Sequence, residues 1–269
     1  MTDTAAKRAQ FRALHAKGCF VLPNPWDIGS ARLFQHMGFS ALASTSSGHA
    51  WTIGRPDYGV TRDDTLAHLT ALCAAVNLPV NADFESGFAV APEGVAANVA
   101  LAIQTGVAGL SIEDSKPGGV GLHELPLAVE RIRAARSAID ASGQDVILVA
   151  RTEGLLSDAG AVRGAIDRLV AFAEAGADCL YAPGVKNKDD ITAMVRAVAP
   201  KPVNVLMMGP GLSVAELAAL GVRRISVGGA LARVAWGAVQ AAAQAMQDGS
   251  FAGLAGAASG KELNRIFDN

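Results

Sequence analysis

The chain has 269 residues, 51% of them hydrophobic and 18% charged, with a formal net charge of −2. That composition supplies one large apolar core, and a near-neutral chain with no run of Lys or Arg lacks the electrostatic footprint of a nucleic-acid binder. No segment reaches the roughly 18 uninterrupted apolar residues of a membrane helix, so neither nucleic acid nor membrane is expected as a partner.

The opening residues, Met1 to Arg8, lack the apolar centre of a secretion signal. Cys19, Cys73 and Cys179 are odd in number and too widely spaced for a disulfide framework or a CxxC metal motif. A reducing, cytoplasmic setting is expected, with Cys19 and Cys179 acting as small buried hydrophobes.

Short apolar runs recur at Phe20–Leu22, Ala41–Ser44, Val80–Asp83, Gly109–Glu113, Val146–Arg151, Cys179–Ala182, Val203–Leu206 and Ile225–Val227. Between them, apolar residues fall at helical spacing. Leu125, Ala128, Val129 and Ile132, continued by Ala135 and Ile139, form one stripe; Ile166, Leu169, Val170, Phe172 and Ala173 form another. Gly38, Gly106, Gly176 and Gly221 each follow an apolar helix and precede a strand, where a left-handed residue ends the helix.

Eight strands alternating with helices predict a parallel sheet. Eight units in about 250 residues suit a closed (β/α)8 barrel of the TIM type. An open doubly wound sheet is the alternative, but no GxGxxG opens the first helix. No linker divides 1–269, which is read as a single domain with a C-terminal helical segment over about 230–269. The Ala-rich tract from Ala230 to Met246 carries Arg233, Gln240 and Gln244, which suits a core or subunit-contact helix.

Barrel active sites lie at the C-terminal ends of the strands, and there the polar residues gather. The third strand ends in Asp83, followed by Glu85; the fourth ends in Glu113 and Asp114; the fifth ends in Arg151, followed by Glu153. Asp83 and Glu85 share a face if the strand runs through both. Acids converging on one rim repel one another and call for a cation, and an all-oxygen set favours Mg²⁺ or Mn²⁺ over zinc. The alternative is that they are solvated loop acids, or partners of Arg55 and Arg151.

Arg151 follows a buried strand, where a bidentate guanidinium suits a small-molecule carboxylate or phosphate. An internal ion pair with Glu113 or Glu153 is the other possibility. The run Ser44, Thr45, Ser46, Ser47, Gly48 offers hydroxyls and backbone N–H groups to a substrate carboxylate, or is a plain polar loop.

These residues resemble the isocitrate lyase/phosphoenolpyruvate mutase superfamily over nearly the whole chain. Leu78-Pro79 followed by Asp83-Phe84-Glu85-Ser86-Gly87-Phe88 is similar to the family's third-strand motif, with Glu85 in place of a second Asp. Ile112-Glu113-Asp114, Ala150-Arg151-Thr152-Glu153 and the loop Pro56-Asp57-Tyr58-Gly59 match three more motifs, in order.

The resemblance implies Mg²⁺ held by Asp83, with Glu85 and Glu113 acting directly or through water. It also implies a 2-oxo acid or enolate on that metal, its carboxylate near Ser44–Ser47 and Arg151, and Asp57 approaching from its loop. A last helix exchanged with a neighbouring subunit, and hence a homodimer or homotetramer, is implied as well.

The departures bear on the reaction. The mobile loop of isocitrate and methylisocitrate lyases carries a catalytic cysteine; here the segment from Ser115 to Glu124 is shorter and has none. The Lys-x-Asn-Ser loop of phosphonate enzymes is missing too. Tyr181-Ala182-Pro183-Gly184 stands where the family has a glutamate, and Asn204 is only a displaced candidate for the seventh-strand asparagine.

A platform kept without its specialised loop points to cleavage or decarboxylation of a small 2-oxo or enolizable dicarboxylic acid. Lys116 and His123 are the candidate proton donors, and His49 beside Asp57 is a third. Two alternatives stand beside this: P–C mutase or hydrolase chemistry on phosphoenolpyruvate or phosphonopyruvate, and a non-catalytic 2-oxo acid binding protein.

Overall fold

The computed structural model describes residues 3–157 and 162–268. Helix α1 (Thr4–Ala16) leads into β1 (Phe20–Leu22), α2 (Ile28–His36) and β2 (Leu42–Ala43). Then come α3 (Ser46–Thr52), α4 (Arg62–Ala75), β3 (Val80–Asp83), α5 (Pro92–Gln104) and β4 (Gly109–Glu113). After them lie α6 (Leu125–Ala141), β5 (Ile147–Arg151), α7 (Gly154–Ser157), α8 (Val162–Glu174) and β6 (Cys179–Tyr181). The chain continues through α9 (Lys188–Val198), β7 (Val203–Leu206), α10 (Val214–Ala219), β8 (Arg224–Ser226), α11 (Ala230–Gln247) and α12 (Gly260–Phe267). Among the described residues no helix is long and apolar enough to cross a membrane.

Local chemistry sets the helix ends. Asp27 and Ser30 cap α2 reciprocally, as Thr61 and Asp64 do for α4 and Ser213 and Glu216 for α10. Gly106 and Gly176 end α5 and α8 at φ +91° and +105°, conformations a side chain resists.

All eight strands pair in parallel, in the order β1-β8-β7-β6-β5-β4-β3-β2. The outer pair, β1 and β2, meets at a seam. There the Ala43 N–H donates to the Pro23 carbonyl at 3.1 Å. The Asn24 amide donates to the Ser44 carbonyl at 3.0 Å and accepts from the N–H groups of Val227 and Gly228, each at 2.9 Å. One side chain thus joins the ends of three strands and brings the sheet round into a (β/α)8 barrel.

Alternation decides what each strand shows the interior. Ala82, Leu110, Ile112, Leu148, Ala150 and Leu180 point out and pack under the helices. The inner set includes Leu22, Ala43, Ile147, Val149, Cys179 and Tyr181, closed from below by Phe11 of α1. Arg224 also points inward, donating to Asn81 at 3.2 Å with its guanidinium 5.9 Å from the Phe11 ring.

Candidate active site

Parallel register places the rim residues side by side. Glu113 of β4 lies opposite Arg151 of β5, and Arg151 opposite Tyr181 of β6. The Arg151 side chain, 17% exposed, is the hub. Its Nη1 is 3.3 Å from Asp83 Oδ1, and its Nε is 3.4 Å from Glu113 Oε2 and also bonds Glu153. The guanidinium carbon lies 5.2 Å from the Tyr181 ring centroid. Both internal ion pairs foreseen for Arg151, with Glu113 and with Glu153, are present.

The loop after β2 joins this hub through Asp83. The Ser44 hydroxyl accepts from the Asp83 N–H at 2.8 Å. Ser46 donates to Asp83 Oδ2 from its backbone N–H and from its hydroxyl, each at 2.9 Å. Thr45 caps α3 by accepting from the Gly48 N–H, and its hydroxyl lies 3.2 Å from that of Ser47. Asp57 leans onto the Ser46 hydroxyl from the 53–61 turn. Tyr58 faces Glu113, its pKa raised by burial and by that charge. Ser46, Asp83, Arg151 and Glu113 therefore form a linked polar arc at the mouth, with Asp57 and Tyr58 facing it.

Charge in the arc is unbalanced. Burial raises the Glu85 carboxyl to about 8, helped by Asp83, Glu113 and Asp57, with Arg151 opposing. Burial also raises Glu113, against Arg151 and a 2.6 Å bond from the Ser115 hydroxyl. Asp57 is raised by desolvation and by Asp83, partly offset by its bond from the Tyr58 N–H and by Arg151 and Ser46. Glu85 Oε1 is buried with no hydrogen-bond partner among the described residues.

That excess of acid fits a hard divalent cation. Among the described residues no three His, Cys, Asp or Glu side chains form a cluster able to hold a metal by themselves. Magnesium does not need one, because it is commonly held by one or two carboxylates and keeps several waters. Asp83 Oδ1 accepts one bond, from Arg151, and so retains a lone pair for a cation. Glu85 and Glu113 stand close enough to feel the Asp83 charge.

The other candidates separate. Strand β3 stops at Asp83, and Glu85 takes a left-handed φ of 46°, so the two acids do not share a strand face. Asn204 lies two residues before the end of β7 and donates to the Ser226 hydroxyl at 2.9 Å. Lys116 is exposed on a small hairpin closed by its own N–H to the Gly121 carbonyl and by the Ser115–Leu122 bridge.

His123 is buried at the hairpin's base, its pKa lowered by burial and by Arg131 and Lys116. His49 stacks on His68 at 3.8 Å and senses Asp64 and Arg55 rather than Asp57.

Sequence reasoning passed over several supports. Arg131, 1% exposed, donates to the carbonyls of Glu113, Ser86 and Ala89. Its signal was there: an arginine set within the apolar stripe of α6. Arg168 bonds the Asp114 carboxylate at 3.1 Å and the His123 carbonyl at 3.0 Å, pinning the base of the hairpin.

A (β/α)8 barrel with charged groups converging at the C-terminal ends of β3, β4 and β5 has the architecture of a barrel enzyme. Residues 11–247 match the family described as phosphoenolpyruvate phosphomutase, and the chain belongs to the isocitrate lyase/phosphoenolpyruvate mutase superfamily of enzymes. It is 29% identical to 2,3-dimethylmalate lyase of Eubacterium barkeri over 81% of this chain and 78% of that one. With oxaloacetate decarboxylase of Chromohalobacter salexigens it shares 31% identity over 80% and 77%. Among solved structures, a Burkholderia cenocepacia J2315 protein described provisionally as a lyase/mutase superposes with a TM-score of 0.95. It is 47% identical, covering 99% of this chain and 98% of that one.

Proposed function

We propose that the chain is a Mg²⁺-dependent lyase or decarboxylase acting on a small 2-oxo or enolizable dicarboxylic acid. The observation that carries this reading is Arg151, a permanent cation at the barrel rim, flanked by Asp83, Glu113 and Glu153. Relatives that cleave dimethylmalate and decarboxylate oxaloacetate support it.

In this reading Arg151 turns from its acids to the substrate carboxylate, a bidentate match, with Ser46 steadying Asp83. Asp83 would hold Mg²⁺, or Mn²⁺ in its place, with Glu85 and Glu113 acting through water. The bound ion supplies Lewis-acid stabilisation of the negative charge that develops beside the broken C–C bond. Tyr181, packed on the guanidinium, limits where Arg151 can swing. Lys116, exposed on the hairpin, is the proposed source of the proton.

The same reading takes the substrate as the small-molecule partner and the cytoplasm as the setting, where Cys19, Cys73 and Cys179 stay free. It also has α11 exchanged between subunits of a homodimer or homotetramer. Exposed Val234, Trp236, Val239 and Met246 on that helix support this, and light scattering tests it.

Incubation with Mg²⁺ and oxaloacetate should release pyruvate and carbon dioxide faster than the Asp83→Ala variant does. Phosphate release from phosphonopyruvate, without action on oxaloacetate, would establish P–C chemistry instead. Metal-dependent binding without turnover across 2-oxo and 2-hydroxy acids would mark a binding protein.

A further inference from the structure

Tyr58 has no part in the proposed chemistry, yet its position is held at both ends. Its backbone sits at φ 58°, a conformation that a bulky residue rarely takes. Such strain persists only where the surroundings over-determine it. The turn around it is tight, since a Cβ on Gly59 would lie 2.6 Å from the Pro56 carbonyl oxygen. That turn sends the ring inward, toward the charges of Glu113, Glu153 and Arg151. One edge of the ring also packs close to Gly119 of the hairpin: a Cβ there would come within 2.5 Å of Tyr58 Cε2 and 2.8 Å of Cζ.

We propose that Tyr58 is a specificity-determining residue whose ring roofs the Asp83–Arg151–Glu113 platform and confines the site to short, unbranched dicarboxylates. This rests on the lyase reading of the same site. A substrate whose carboxylate pairs with Arg151 extends from the rim toward the mouth, and there it meets the Tyr58 ring and Gly119. A branch on the carbon facing them must displace an aromatic ring held by a strained turn and by its packing against Gly119. A flexible side-chain tip would yield; this ring does not.

The test is calorimetric binding, in Mg²⁺, of oxalate as the short probe and 2,3-dimethylmalate as the branched one. Wild type should prefer oxalate. Tyr58→Asn removes the ring while suiting the left-handed backbone. It should tighten dimethylmalate by about tenfold or more, the scale of one or two methyl groups in a pocket, and change oxalate by less than about threefold.

Tyr58→Phe keeps the ring, loses only the hydroxyl and should retain the wild-type preference. An unchanged preference in Tyr58→Asn overturns the proposal, as does a Tyr58→Phe variant relaxed to the same degree. Wild type that binds neither acid overturns the lyase reading and the roof with it, and is told apart because no variant is then needed to see it.

Discussion

Ser46 and Asp83 meet twice: the backbone N–H and the hydroxyl of Ser46 both reach Asp83 Oδ2, each at 2.9 Å. A loop serine thereby fixes the orientation of the rim acid. The hydroxyl has one proton to give and lies between Asp83 and Asp57, while the backbone bond serves Asp83 alone. Ser46→Ala should therefore weaken, and not abolish, the hold on Asp83. A loss of about 1 kcal/mol, the usual worth of one such bond, should appear as a several-fold rise in KM with the fold intact by circular dichroism.

Removing the hub costs more. Arg151→Gln leaves Asp83, Glu113 and Glu153 crowded without their shared cation, and breaking a buried ion pair costs about 3–5 kcal/mol. The loss should be largest at pH 8 and smaller at pH 5, because protonating the acids relieves the repulsion. Thermal melts across that range check it, and a pH-independent loss would contradict it.

Metal and protons compete for the same acids. Glu85 binds its proton more tightly in the fold, at about 8 against an ordinary 4.5. The folded state thus holds more protons between those values. The Glu85 contribution to stability is fully present below about 4.5 and is lost as pH rises through about 8. Mg²⁺ favours the ionised acids, so its stabilising effect should grow with pH over that window and vanish in Asp83→Ala. Melting temperature with and without Mg²⁺ reads both effects.

His68 gives the opposite slope. Burial and the stacked His49 lower it to about 3, against an ordinary 6.5. It stays neutral in the fold while the unfolded chain takes up a proton. Its contribution is present above pH 6.5 and is lost as pH falls toward 3. His68→Phe, which keeps a ring against His49, should flatten the acid side of the stability curve below pH 6.5.

Much of this was legible because strand parity is a strict code. Asp83, Glu113 and Arg151 alternate with Ala82, Ile112 and Ala150, so the sequence itself separates inward charged groups from outward core. Strand ends were less exact: the run Ala41–Ser44 pairs only at Leu42–Ala43, while Ser44 bonds Asn81 through its N–H and Asn24 across the seam through its carbonyl.

Glu85 broke the pattern because the chain turns left-handed just past the strand. Partners far apart in sequence, such as Asp114 with Arg168 or Tyr58 with Gly119, leave no local period to read. They depend on how separate loops meet in space.

The seam amide at Asn24 carries a chemical consequence. Asparagine side chains age when the next residue's backbone nitrogen attacks them and closes an imide ring. Here the next residue is Pro25, whose nitrogen has no proton to give up. An aspartate at 24 would have no N–H to offer the Ser44 carbonyl and would set two oxygens against each other across the seam. The neighbouring proline thus closes the imide route by which the seam amide would turn into an acid.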